Sequence, residues 1–122
     1  MHKNHKGLTD DEFETMEILW GSGEEMHTGE IAVRLRENRT WQTSAVQSML
    51  DSMTERGYIN HEKLGRVNYY TPAITKDEYF EKEVQRLSEL IFGGSVKKLV
   101  LDILGRDFLT DGEKTEIASK LK

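Results

Sequence analysis

Three helical segments, a change of hydrophobic period from 3.6 to 2, and three further helical segments predict a mainly α protein with a small β-hairpin. One observation behind this is a set of capping boxes, Thr9/Glu12, Thr75/Glu78 and Thr110/Glu113, each placed ahead of an apolar stripe at helical spacing. A second is the alternation that replaces helical spacing directly after Gly57. The third is the order of the pieces: helix, short helix, helix and hairpin form the sequence of a winged helix-turn-helix, followed here by a three-helix segment.

The first helix opens at Thr9, with Leu8 and Phe13 as hydrophobic staple and Asp10 and Asp11 where the helix dipole favours acid. Phe13, Met16, Leu19 and Trp20 follow at helical spacing, and Gly21 and Gly23 end the run. Thr28 is the expected cap of a short second helix with Ile31, Ala32 and Leu35 on its apolar face and Asn38 as its stop. After Trp41, Thr43 is the expected cap of a third helix, which turns Val46, Met49, Leu50 and Met53 inward and ends at Arg56-Gly57. Its other side carries Ser44, Ala45, Gln47, Ser48, Asp51 and Ser52, mostly short hydrogen-bonding side chains where a solvent-facing helix tends to carry Lys and Glu.

Tyr58, Ile59 and His61 open a strand, Lys63-Leu64-Gly65-Arg66 makes a turn, and Val67 to Thr71 return until Pro72 closes the wing. Of Tyr69 and Tyr70, one ring should face the core and the other outward, because neighbouring strand residues point to opposite faces. The fourth helix starts at Thr75, with Ile74 and Tyr79 as staple, and spaces Phe80, Val84, Leu87 and Ile91 as a short a/d seam. Gly93-Gly94 breaks it. Val96, Leu99, Val100, Ile103 and Leu104 line a fifth helix ending at Gly105, and Ile117, Ala118 and Leu121 mark a sixth. The expected division is a winged domain at residues 1–74 and a helical dimerisation domain at 75–122. So small a helical unit buries too little surface alone. A two-fold dimer through Phe80, Val84, Leu87, Ile91, Leu99, Val100 and Ile103 is therefore expected.

The 122 residues include no cysteine, which excludes disulfides, thiolate catalysis, iron–sulfur clusters and cysteine-based metal sites. Mean hydropathy is −0.65, no apolar run approaches the ~18 residues of a membrane helix, and the N-terminus lacks a signal-peptide core, so a soluble, cytoplasmic chain is expected. His2, His5, His27 and His61 are scattered, no two on one helix face, and read as solvated or incidental rather than as a metal site. Asp10-Asp11 and Glu24-Glu25 suit a helix dipole and a surface loop, no serine stands on a nucleophile elbow, and no glycine pair makes a phosphate loop. An enzyme and a cofactor are not expected.

Net charge is −5, divided as −4 on residues 1–74 and −1 on residues 75–122. Taken alone, that balance opposes nucleic-acid binding, so any DNA contact depends on where charges sit. On the third helix, Gln47 could read adenine bidentately, and Ser44 and Ser48 could bond a base or a phosphate. The Ala45 β-carbon, or a threonine methyl such as that of Thr43, could meet a thymine methyl. Arg39, Lys63 and Arg66 would add phosphate or minor-groove contacts from the link and the wing. The competing reading of the same helix is a polar, exposed surface that touches nothing.

The run LTDDEFETMEILW, then Trp41 ahead of the third helix, then ERGYINHEK and NYYTP, resembles the penicillinase-repressor family of winged-helix regulators (the BlaI/MecI/CopY type). The likeness covers residues 8–72 well and continues loosely through Gly93-Gly94 and the LVLDIL segment at 99–104. It implies a transcriptional repressor acting as a homodimer on a palindromic operator, with an intertwined C-terminal dimerisation unit. Operator contacts carry over to Ser44, Ala45, Gln47, Ser48 and Arg66. In the penicillinase branch, helix 3 commonly has basic residues where this chain has Ser44 and Gln47. That branch is inactivated when a membrane sensor's signal leads to proteolysis at an Asn-Phe pair. The matching positions here are Asp102-Ile103, so that switch is not expected to operate. The copper-responsive branch uses cysteine pairs, which this chain lacks. Expected partners are duplex DNA, a second copy of the chain, and a sensor or ligand of unspecified kind. Two alternatives compete: a winged-helix protein-interaction module without DNA binding, which the −4 balance favours, and a metal-dependent hydrolase, which rests on the histidines alone.

Overall fold

The computed structural model describes residues 7–37 and 40–121. The elements are α1 (Asp10–Ser22), β1 (Met26–His27), α2 (Thr28–Arg36), α3 (Thr43–Glu55), β2 (Ile59–Leu64), β3 (Val67–Pro72), α4 (Lys76–Phe92), α5 (Val96–Leu104) and α6 (Asp111–Lys120). They form two compact units, one through Tyr79 and one from Phe80 onward. The first turn of α4 thus belongs with the winged unit, where the Tyr79 ring lies 5.7 Å from that of Phe13 and 6.2 Å from that of Tyr58.

The expected capping boxes form. The Thr9 hydroxyl accepts from the Glu12 N–H at 3.2 Å while Glu12 Oε1 accepts from the Thr9 N–H at 2.9 Å. Thr75/Glu78 and Thr110/Glu113 repeat the arrangement. Two caps differ from expectation. His27, not Thr28, caps α2: its Nδ1 accepts from the Glu30 N–H at 3.2 Å, and Glu30 Oε1 accepts from the His27 N–H at 3.0 Å. An imidazole nitrogen with a free lone pair does what a serine oxygen does, so His27 is a structural cap rather than an incidental histidine. Gly29 leaves the ring its space, since a Cβ there would stand 3.1 Å from His27 Cε1. The N-cap of α3 is Gln42, which makes no side-chain cap bond, and Thr43 is already helical. Asn38, the expected stop of α2, lies outside the described residues, as do His2 and His5.

Met16, Leu19, Ile31, Ala32, Leu35, Val46, Leu50, Met53, Ile59 and Tyr70 form the core of the winged unit, with Met26 beside them. The sheet has three strands in the order β1-β3-β2, one more than the predicted hairpin. β1 pairs Met26 with Tyr70 and His27 with Tyr69, and two residues are too few to show alternation in a sequence. The predicted four-residue turn is shorter: Lys63 pairs with Asn68 and Leu64 with Val67, leaving Gly65-Arg66 as the connection. Gly65 takes φ +66°, which a glycine supplies without strain. Tyr70 is the core-facing ring, and Tyr69 packs edge-on against His27.

In the second unit α5 and α6 bury no residue, and Ser88 is the only residue of α4 that is buried. Phe80, Leu90, Ile91, Phe108 and Leu121 are each more than half exposed. Gly93 and Gly94 both take positive φ, and the Gly94 N–H donates to the Ser88 carbonyl at 2.9 Å, closing α4. Among the described residues no helix is long and apolar enough to cross a membrane.

Candidate nucleic-acid interface

The winged unit sets one face of α3 free by burying the other. Val46, Leu50 and Met53 point into the core, which leaves Ser44, Ala45 and Ser48 exposed on the opposite side together with Thr43, Asp51 and Ser52. The first turn of α3 carries no acid. In contrast, Asp10, Asp11, Glu12, Glu14 and Glu17 are all on α1, and the two acids of α3, Asp51 and Glu55, come after that first turn. Position, not sum, decides the local field.

Arg36 braces the approach to α3. Its Nε donates to the Trp41 carbonyl at 2.9 Å and its Nη2 to Thr43 Oγ1 at 2.7 Å. The Thr43 hydroxyl therefore already accepts one charge-assisted bond. Arg36 was not singled out from the sequence. Its only local mark is a cation at a helix C-terminus, which the helix dipole explains equally well. Arg39, the other cation expected near the link, lies outside the described residues.

On the wing, Lys63 and Arg66 are exposed, Lys63 near the end of β2 and Arg66 within the turn, flanked by the half-exposed Leu64 and Val67. Arg56 and Lys76 are spent differently: Arg56 pairs with the buried Glu12 and stands 5.5 Å from the Tyr58 ring centre, and Lys76 meets Glu17 at 3.4 Å.

Gln47 departs most from its expected setting. It is half-buried, and its amide bonds to Thr28, Asp51 and Tyr70. The sequence places it on the polar face because Val46 and Leu50 bracket it, but the same bracket puts it at the border of the core. Asp51 four residues on was the available sign of an intrahelical amide–carboxylate pair.

Among the described residues no group of three or more His, Cys, Asp or Glu could hold a metal ion.

Residues 8–122 match the family model described as penicillinase repressor. A penicillinase repressor of Bacillus licheniformis is 31% identical over 110 residues, covering 90% of this chain and 85% of that protein. The solution structure of the DNA-binding domain of the repressor BlaI superposes with a TM-score of 0.54 at 33% identity, over 64% of this chain and 94% of that one. The Bacillus licheniformis BlaI monomeric form in complex with the blaP half-operator superposes with a TM-score of 0.52, again at 33% identity and with the same coverage.

Proposed function

Because the chain belongs to the penicillinase-repressor family, we propose that it is a DNA-binding transcriptional repressor that acts as a homodimer on a palindromic operator. The observation that carries this is the exposed face of α3, where Ser44, Ala45 and Ser48 stand clear on a helix anchored by Val46, Leu50 and Met53. A similar fold, that of BlaI, has been seen with a half-operator, which supports the same use here. In this reading Ser44, Ala45 and Ser48 meet base edges, and Thr43, Lys63 and Arg66 meet the backbone. Arg39 is assigned to the backbone on its sequence position alone.

A salt titration on random duplex tests the assignment, since phosphate neutralisation makes affinity fall steeply with salt. Absence of binding at every salt concentration would replace the repressor with a protein-interaction module, the reading that the −4 of residues 1–74 favours. Arg66→Ala should weaken all sequences alike and flatten the salt slope by about one unit. Ser48→Ala should instead cost about 1 kcal/mol on the preferred operator and relax one position of the selected consensus. Identical consensus and salt slope in both variants would refute these contacts.

The dimer is proposed through Phe80, Val84, Leu87, Ile91, Leu99, Val100 and Ile103. Of these, Phe80, Leu87, Ile91 and Val100 are exposed and the others half-buried. Inactivation by cleavage at Asp102-Ile103 is not expected. Asp102 accepts from Arg106 Nε at 2.6 Å within a formed helix, so cutting requires local opening and then a pocket suited to a charge and a β-branched chain. Co-expression with a penicillinase-branch sensor protease, followed by mass measurement, should return the uncut chain; a single break between those residues would overturn the expectation.

A further inference from the structure

Resting on the DNA-binding reading above, we propose that Gln47 is a positioning residue whose amide clamps α3 to α2 and to β3, without itself reading a base. Thr28 Oγ1 donates to Gln47 Oε1 at 2.9 Å, while Gln47 Nε2 donates to the Tyr70 hydroxyl at 2.9 Å and to Asp51 Oδ1 at 2.8 Å. The carboxylate of Asp51 accepts only, so it fixes which edge of the amide carries the hydrogens. Bidentate reading of adenine needs one amide N–H and the amide oxygen turned together toward the base edge. Here both N–H groups are engaged, and the oxygen holds Thr28.

Turning the amide outward would take a bond from the hydroxyl of Tyr70, a ring only 1% exposed, where a lost partner is expensive. Each end of the clamp lies on an element the interface depends on. Thr28 opens α2, and it is available because His27 does the capping. Tyr70 lies on the strand that returns from Arg66, in register with Met26 on one side and His61 on the other. The clamp therefore sets the stance of the serine face relative to the wing.

Two measurements on the full chain test this. In a folding cycle, Gln47→Ala and Tyr70→Phe should each lower the folding equilibrium constant by roughly fivefold, and the double variant should be little worse than the weaker single. In selections from a random duplex library, Q47A and Y70F should lose affinity on every sequence and keep the wild-type consensus. The pair Q47E/D51N should restore both stability and affinity. A carboxylate at position 47 accepts from Thr28 and Tyr70, and an amide at position 51 donates to it, so the network survives with its polarity reversed.

Additive folding effects would overturn the clamp. So would a changed base preference in Q47A that Y70F lacks, because it marks a side chain that reads DNA. If the wild-type chain binds no duplex at any salt, the repressor reading fails by itself, and the folding cycle still decides whether the clamp exists.

Discussion

Glu12→Ala is expected to lower the stability of the winged unit by about 2–4 kcal/mol, the largest single-site effect foreseen outside the apolar core. Glu12 has two duties. One carboxylate oxygen accepts from the Thr9 N–H at the start of α1, and the other pairs with the Arg56 guanidinium at the end of α3. The carboxylate side chain is 10% exposed and that of Arg56 25%, so alanine strands a cation in a partly dry site and opens the capping box in the same step. Removing one partner of a buried pair costs more than the pair contributes over an apolar substitute. Replacing both, as Glu12→Leu with Arg56→Leu, should therefore recover part of the loss. The measurement is convenient, because both tryptophans, Trp20 and Trp41, lie in this unit and their fluorescence follows its unfolding in urea. A shift under about 0.5 kcal/mol for the single variant would place Glu12 among ordinary surface residues.

Leu87→Asp is expected to convert the proposed dimer to monomers. Leu87 is 37% exposed in the single chain, in line with Phe80, Val84 and Ile91 at the spacing of an a/d seam. Pairing two such seams would bury the new carboxylate without a partner, once on each side of the axis, at a cost of several kcal/mol for each charge. Light scattering at micromolar concentration distinguishes the states, and an L87D chain of dimeric mass would remove this face from the interface. The winged unit provides the control, since its tryptophan signal should be unchanged.

What was legible in the sequence was local. Thr9/Glu12, Thr75/Glu78 and Thr110/Glu113 each announce a helix within four residues, and all three form as expected. The stripes Ile31-Ala32-Leu35 and Val46-Leu50-Met53 were equally plain, because one face of a helix repeats within the window that a reader scans. The rest depends on residues far apart in the chain. Glu12 meets Arg56 across 44 positions and Gln47 meets Tyr70 across 23, and neither pair leaves a mark on its own segment. His27 was overlooked for a different reason: Thr28 beside it has the higher propensity to cap, and β1 put His27 in the extended conformation that a cap requires. The candidate interface was accordingly found as a face, while the partners that orient it were not.

Under the proposed pairing, the bareness of the second unit would tie the protein's lifetime to its abundance. With Ser88 as the only buried residue of α4 and none on α5 or α6, the proposed pairing would supply most of the apolar burial this unit obtains. Folding of that half would then be second order, and its melting temperature would rise with the amount of chain present. Scarce copies would spend longer unpaired, with opened helices accessible to proteases, while paired copies would be shielded. Turnover would thus clear the repressor fastest when there is least of it, sharpening the boundary between a cell that holds its operators silent and one that does not.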